Sequence, residues 1–139
     1  MTTETRLKIG FTIALLATTI SLFFSEIMNL PPCSLCWYQR IFMYPLVLIF
    51  GVGLLTADHQ ALVYAKALSI SGLLIAAYHC LLYYGILPET VAPCKSGVSC
   101  TQKQIELVGF LTIPLLSLGS FLVLSIICTS KSTGMKNEK

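Results

Sequence analysis

The chain is predicted to be an all-α membrane protein, an antiparallel bundle of four transmembrane helices with both termini in the cytoplasm. Three observations lead there. Hydrophobic residues make up 55% of the 139 residues and charged residues 11%, where a soluble domain carries roughly 25% charged residues. The few charges gather at the termini and in short connecting stretches, which leaves four long apolar runs. Positive charge is also divided unequally between the two sides that four spans would define. A soluble globule is excluded, because it needs polar residues over its whole surface. Nucleic-acid binding is disfavoured, since a net charge of +3 shared among both ends and several loops forms no basic stripe.

The apolar runs cover 9–25, 41–57, 67–87 and 107–128. A membrane-crossing helix needs about 20 mostly apolar residues, within a range of roughly 17–25. With their flanks the runs predict spans over about 9–28, 36–57, 65–87 and 107–128, in one domain over 1–139. The first run ends in Glu26-Ile27-Met28-Asn29 and carries no small-residue cleavage site, so it reads as a retained span rather than a cleaved signal peptide. Pro45 and Pro114 fall inside the second and fourth spans. Each removes a backbone donor and is expected to bend its helix, which neighbouring helices compensate. Gly51, Gly53, Gly72, Ala76 and Ala77 are small enough to let helices approach closely.

Orientation follows from lysine and arginine. Arg6, Lys8, Lys66, Lys131, Lys136 and Lys139 fall on one side, and Arg40, Lys95 and Lys103 on the other. The richer side is the cytoplasmic one, so loops 26–40 and 88–106 face outward. Cys33, Cys36, Cys94 and Cys100 lie in or beside those two loops, two to each. The outside is where disulfides persist, so charge and cysteine placement agree although they rest on different residues.

Cys33-Ser34-Leu35-Cys36 follows Pro31-Pro32 and should open the second helix. There a thiol meets unpaired amides and the positive end of the helix dipole, which favour thiolate. A Cys-x-x-Cys ring is small and exchanges readily, whereas structural disulfides usually close longer loops. Redox exchange is therefore the reading of this motif. Zinc held by both pairs is the alternative, but five residues separate Cys94 from Cys100 and the loops lack extra polar groups to orient ligands; no metal is expected. Cys80 and Cys128 lie within spans and read as packing residues without a chemical role.

On a helix starting near Cys33, the residues Cys33, Cys36, Arg40 and Met43 form one stripe, with Gln39 at its edge. Arg40 lies about 10 Å along the axis from Cys33 at 1.5 Å per residue. A cation there favours a thiolate or a reduced acceptor bearing negative charge; snorkelling to the headgroups, or pairing with Glu26, is the structural alternative. By the same rise His79 lies about 12 Å inside the third span, level with Arg40, which suggests a shared polar site. His59 belongs to the cytoplasmic turn and reads as solvated.

Together these residues outline a relay. A pair on loop 88–106, which also holds Pro88, Pro93 and Gly97, can take electrons from a soluble thiol protein and pass them to the anchored pair by exchange. No glycine-rich phosphate loop is present, and His59 and His79 are poorly placed for haem. A quinone dissolved in the lipid can reach the anchored pair from within the membrane.

The run Pro32-Cys33-Ser34-Leu35-Cys36-Trp37-Tyr38-Gln39-Arg40, followed by Met43-Tyr44-Pro45, resembles the signature of the DsbB family of disulfide-bond formation membrane proteins, in its short BdbC-like branch. Tyr78-His79, the Cys94/Cys100 pair and Gly109-Phe110-Leu111-Thr112-Ile113-Pro114 fit that branch too, and the likeness covers nearly the whole chain apart from its tails. The resemblance implies a multi-pass protein of the bacterial cell membrane that reoxidises an extracytoplasmic thioredoxin-like thiol oxidase and passes the electrons to menaquinone or ubiquinone. Carried over by motif, Cys94 forms the mixed disulfide with the partner and Cys100 is its loop mate. Cys33 then exchanges with the loop pair, Cys36 is the thiolate facing the quinone, Arg40 holds the quinone and His79 assists. The loop pair is closer together than in longer proteobacterial members, which leaves the relay between pairs less defined than its endpoints. Vitamin K epoxide reductases share the architecture, but there the loop pair precedes the membrane pair, the reverse of the order here. The competing readings are a tetraspan scaffold braced by structural disulfides and a metal-binding membrane protein.

Overall fold

The computed structural model describes residues 1–94, 100, 106–107 and 111–130. Lys95, Gly97, Lys103, Gly109, Phe110, Lys131, Lys136 and Lys139, used above for orientation, loop or motif, lie outside the described residues. Among the described residues there are four α-helices: α1 (Thr3–Leu22), α2 (Ser34–Thr56), α3 (Gln60–Tyr83) and α4 (Ile113–Thr129). A π-helical turn, Phe23–Ile27, prolongs α1. Two short strands, β1 (Glu106–Leu107) and β2 (Leu111–Thr112), pair antiparallel with Glu106 opposite Thr112.

Among the described residues, three helices are long and apolar enough to cross a membrane: Thr3–Ile27, Ser34–Thr56 and Gln60–Tyr83. These make the chain a multi-pass membrane protein. The fourth, α4, has 17 residues and corrects the span expected over 107–128. Leu107 and Leu111 are committed to strand pairing, and Thr112 is extended (φ −93°, ψ 155°) as the N-cap, so the helix begins only at Ile113. Pro114 is corrected with it. It occupies the first helical turn, where a missing N–H has no intrahelical acceptor to lose, and it bends nothing.

The third helix also starts and ends earlier than the expected 65–87. The Asp58 carboxylate accepts from the Gln60 backbone N–H at 2.9 Å and opens it. Gly85, with φ of +72°, closes it. Its N–H donates to the Leu82 carbonyl, and that of Ile86 to the Leu81 carbonyl, the two bonds of a Schellman end that favours glycine.

Each helix packs against the next in the chain, and α4 packs back on α1, so the four surround a common core. Leu7, Leu46, Phe50, Phe121 and Leu124 fill it. Phe50 and Phe121 are fully buried because the facing residues are glycine. A Cβ on Gly10 would lie 2.6 Å from the Phe50 ring, and one on Gly72 would overlap the Phe121 ring outright. Gly72→Leu should therefore destabilise the fold by about 1–3 kcal/mol through overpacking, outweighing a helix-propensity gain of up to about 1 kcal/mol. Unfolding in detergent micelles measures this; wild-type stability would mean that Phe121 swings aside freely.

Arg6, counted above among the cytoplasmic charges, is only 4% exposed. Its Nε and Nη2 donate to the Ile127 carbonyl, and Nη2 also to that of Cys128 at 3.0 Å. The last carbonyls of a helix lack intrahelical donors and carry the negative end of its dipole. Arg6 satisfies both needs and ties the start of α1 to the end of α4.

Candidate functional site

The backbone of Cys33 is extended (φ −71°, ψ 169°), which makes it the N-cap of α2, while Cys36 falls in the first helical turn. That geometry brings the two sulfurs to 3.1 Å, both as free thiols. Cys33 is buried and turns toward α3, where His79 Nε2 lies 3.8 Å from its sulfur. His79 is 2% exposed, and its Nδ1 is 3.0 Å from the Gln39 side-chain amide nitrogen.

The second pair is closed. Cys94 and Cys100 form a disulfide with their Cα atoms 6.0 Å apart. Cys33, Leu35, Leu82, Ala92 and Cys100 form one buried cluster, with Cys36 and Cys94 packed against it. All four predicted sulfurs thus share one apolar environment. The Tyr78 hydroxyl donates to the Val91 carbonyl at 2.7 Å and holds the turn Glu89–Val91 against α3 just before Cys94. Cys80 and Cys128 are buried outside this cluster.

A cavity of about 160 Å³ opens beside Cys36, between α1, α2 and α4. Cys36, Gln39, Arg40 and Met43 contribute from α2, Ser21 from α1 and Phe24 from the π-helical turn that prolongs it. Most of the remaining wall is apolar. Arg40 is held in place: its Nε donates to the Ser21 hydroxyl at 3.0 Å and its Nη2 to the Ser21 carbonyl at 3.1 Å. Its guanidinium carbon is 5.5 Å from the centre of the Trp37 ring, within cation–π range. The Glu26 pairing does not form; the Glu26 carboxylate accepts from the Ser25 hydroxyl instead.

The polar site expected to join Arg40 and His79 is divided in two. Successive helix residues point about 100° apart, as 3.6 residues per turn require. Arg40 therefore faces α1 while Gln39 reaches His79 on α3, and His79 is not part of the cavity wall. Gln39 touches both compartments. Sequence alone assigns no role to Ser21 or Tyr78. Ser21 shares the outer half of its span with Thr18, Thr19 and Ser25, so no signal singles it out, and nothing in the sequence marks Val91 as the acceptor for Tyr78.

Cys33 is held well below the ordinary thiol range, at about 4, chiefly by the hydrogen bond from the Cys36 thiol. Burial opposes this and the hydrogen bond to His79 assists it. A depressed pKa means that the anion persists at neutral pH and is lost only as pH falls through about 4. Alkylation of Cys33 in the dithiol protein should stay near its pH 7 rate at pH 6, whereas an ordinary thiol with pKa about 8.5 slows roughly tenfold per pH unit. Rate profiles with iodoacetamide check this, and a midpoint above 8 would contradict it.

A family model described as disulfide bond formation protein DsbB matches residues 4–130. The chain is 46% identical over 121 residues to probable disulfide formation protein C 2 of Bacillus anthracis, covering 87% of this chain and 86% of that protein. It is 42% identical over 130 residues to disulfide bond formation protein C of Bacillus subtilis (strain 168), covering 93% of each. A probable disulfide formation protein of Metapseudomonas resinovorans is 36% identical over 122 residues, 87% of this chain and 85% of that protein. No solved structure matches the chain.

Proposed function

The chain belongs to the DsbB family of disulfide-formation membrane proteins, and from that premise we propose that it reoxidises a thioredoxin-like dithiol protein outside the cytoplasm and delivers the electrons to a membrane quinone. Family membership carries thiol–disulfide oxidoreductase activity. The observation that supports the finer reading is the contiguity of four sulfurs, an arginine and an apolar cavity.

In this reading the partner's two thiols reduce the Cys94–Cys100 disulfide and leave as a disulfide. The resulting loop dithiol reduces a Cys33–Cys36 disulfide by exchange, restoring its own bond. The Cys33–Cys36 dithiol then closes, giving two electrons and two protons to the quinone, which becomes quinol. Cys36 lines the cavity, so it is the sulfur that meets the acceptor; Cys33, buried toward α3, meets the loop. Cys36 carries the proton that stabilises the Cys33 thiolate over 3.1 Å and gives it up as the pair closes, and His79 beside Cys33 is the nearby group that can take a proton from the pair.

Arg40, fixed by Ser21, faces the same space and offers its remaining N–H groups to a carbonyl oxygen. An apolar cavity of about 150 Å³ admits a benzene ring, so the volume here suits a quinone head with its tail leaving into lipid. An aqueous outer site and a lipid-borne acceptor fit a four-span antiparallel bundle, with the 17-residue α4 as its shortest span and both termini cytoplasmic. The orientation is supported by the charge bias, and the bacterial cell membrane is the location it implies.

The test is to mix the purified protein with quinone and a reduced thioredoxin-fold dithiol substrate, then follow quinone absorbance. Loss of one quinone per substrate disulfide is expected. Quinone that stays oxidised while the substrate is consumed would refute the acceptor, and an inert substrate would favour a scaffold braced by structural disulfides.

A further inference from the structure

We propose that the reduced Cys33–Cys36 pair and His79 form a binding site for one thiophilic divalent cation, of which zinc is the type, and that this site exists only in the dithiol state. The zinc arrangement weighed from sequence joined the two cysteine pairs. The folded chain assembles a different donor set. The Cys33 and Cys36 sulfurs and one His79 ring nitrogen all lie within 4.8 Å of one another, with the sulfurs 3.1 Å apart and Cys33 3.8 Å from Nε2. A tetrahedral ion with Zn–S of about 2.3 Å and Zn–N of about 2.0 Å needs S···S near 3.8 Å and S···N near 3.5 Å. The S···S and Cys33 S···N distances each change by less than 1 Å to meet these values, and the Cys36 S···N distance, within 4.8 Å, closes toward the same 3.5 Å.

Two further features favour a metal. Ligating histidines almost always have their second ring nitrogen held by a hydrogen bond. Gln39, 6% exposed, stands 3.0 Å from Nδ1 and belongs to the same buried surroundings. With its amide turned so that the oxygen accepts from Nδ1–H, the Nε2 lone pair points at the thiols. Charge balance points the same way. Two thiolates and a neutral imidazole around a divalent ion sum to zero, which suits a buried site, whereas two thiolates alone would not. Binding releases the remaining thiol protons to solvent, and a fourth position is left for water, as in Cys₂His sites.

Forming the Cys33–Cys36 disulfide consumes both thiolates, so the ion binds the reduced protein and not the oxidised one. Linkage then makes the bound ion favour the dithiol and block its reoxidation. The cation would act as a reversible brake on electron exit.

Cobalt(II) is the probe, since sulfur ligation gives intense charge-transfer absorption. The full chain carrying Cys94→Ser and Cys100→Ser leaves the anchored pair as the outward dithiol. One cobalt per chain is expected in the dithiol form and none after oxidation with diamide, a comparison within one folded polypeptide. Zinc should displace the cobalt. His79→Ala should weaken binding by at least about tenfold, and Cys80→Ser and Cys128→Ser should leave it intact. X-ray absorption of the unmutated site should show two sulfurs and one imidazole nitrogen, which keeps the test independent of whether His79→Ala folds. No uptake by the dithiol, uptake that survives diamide, or binding indifferent to His79 would overturn the proposal. Metal uptake needs neither quinone nor partner, so its failure and a failure of the oxidase reading are separate results.

Discussion

Replacing any one of Cys33, Cys36, Cys94 or Cys100 by serine is expected to bring dithiol-driven quinone reduction to background, while Cys80→Ser and Cys128→Ser retain it. The expectation rests on electron bookkeeping. Each pair must cycle between two thiols and one disulfide, and a single sulfur cannot carry two electrons by exchange. Both pairs pack in one buried cluster, which lets them exchange, whereas Cys80 and Cys128 are buried outside it. Because the four act as a unit, combining two of the serine substitutions should be no worse than one.

The half-reactions separate the pairs. Cys94→Ser should still be oxidised by quinone at Cys33–Cys36 after chemical reduction, and Cys36→Ser should not. Stopped-flow measurement of quinone absorbance resolves the two steps. Full turnover in Cys36→Ser would remove the basis for routing electrons past the cavity.

Arg40→Ala should raise the apparent Michaelis constant for quinone by about 10- to 100-fold, the equivalent of losing a charge-assisted hydrogen bond of about 1.5–3 kcal/mol. The side chain is already anchored through Ser21 and placed by the Trp37 ring, so little ordering remains to be done when an acceptor arrives. Arg40→Lys should recover only part of the loss, because an ammonium lacks the planar fork that bonds Ser21 twice. Ser21→Ala, which removes one of the two anchors, should produce a smaller rise. Steady-state titration of quinone at saturating dithiol measures all three. An unchanged Michaelis constant in Arg40→Ala would assign the arginine to structure alone.

Much of this architecture was legible in the residues themselves. The apolar runs identified helices because lipid forbids unpaired backbone polar groups and so leaves an apolar segment few options. Pro32-Cys33-Ser34-Leu35-Cys36 placed the redox motif at the start of a helix, where Cys33 indeed caps α2. Local rules also misled. Pro114 read as a kink because the start of α4 depends on the β1–β2 pairing, which commits Leu111 and Thr112 to partners on another strand rather than to a continuous run. Arg6 counted only toward orientation, since its acceptors, Ile127 and Cys128, lie at the far end of the chain.

What the sequence alone determined is the membrane character of the chain, the place of the Cys-x-x-Cys pair at a helix start and the family signature. These depend on composition, spacing and short-range geometry. Only the tertiary structure decided that His79 lies beside Cys33 while Arg40 faces the cavity, that Gln39 and Ser21 hold these two side chains, and that Tyr78 holds the turn before Cys94. The reason is rotational. Depth along a helix follows from residue number at a fixed rise, but the direction a side chain faces matters only relative to a neighbouring helix, and packing sets that neighbour.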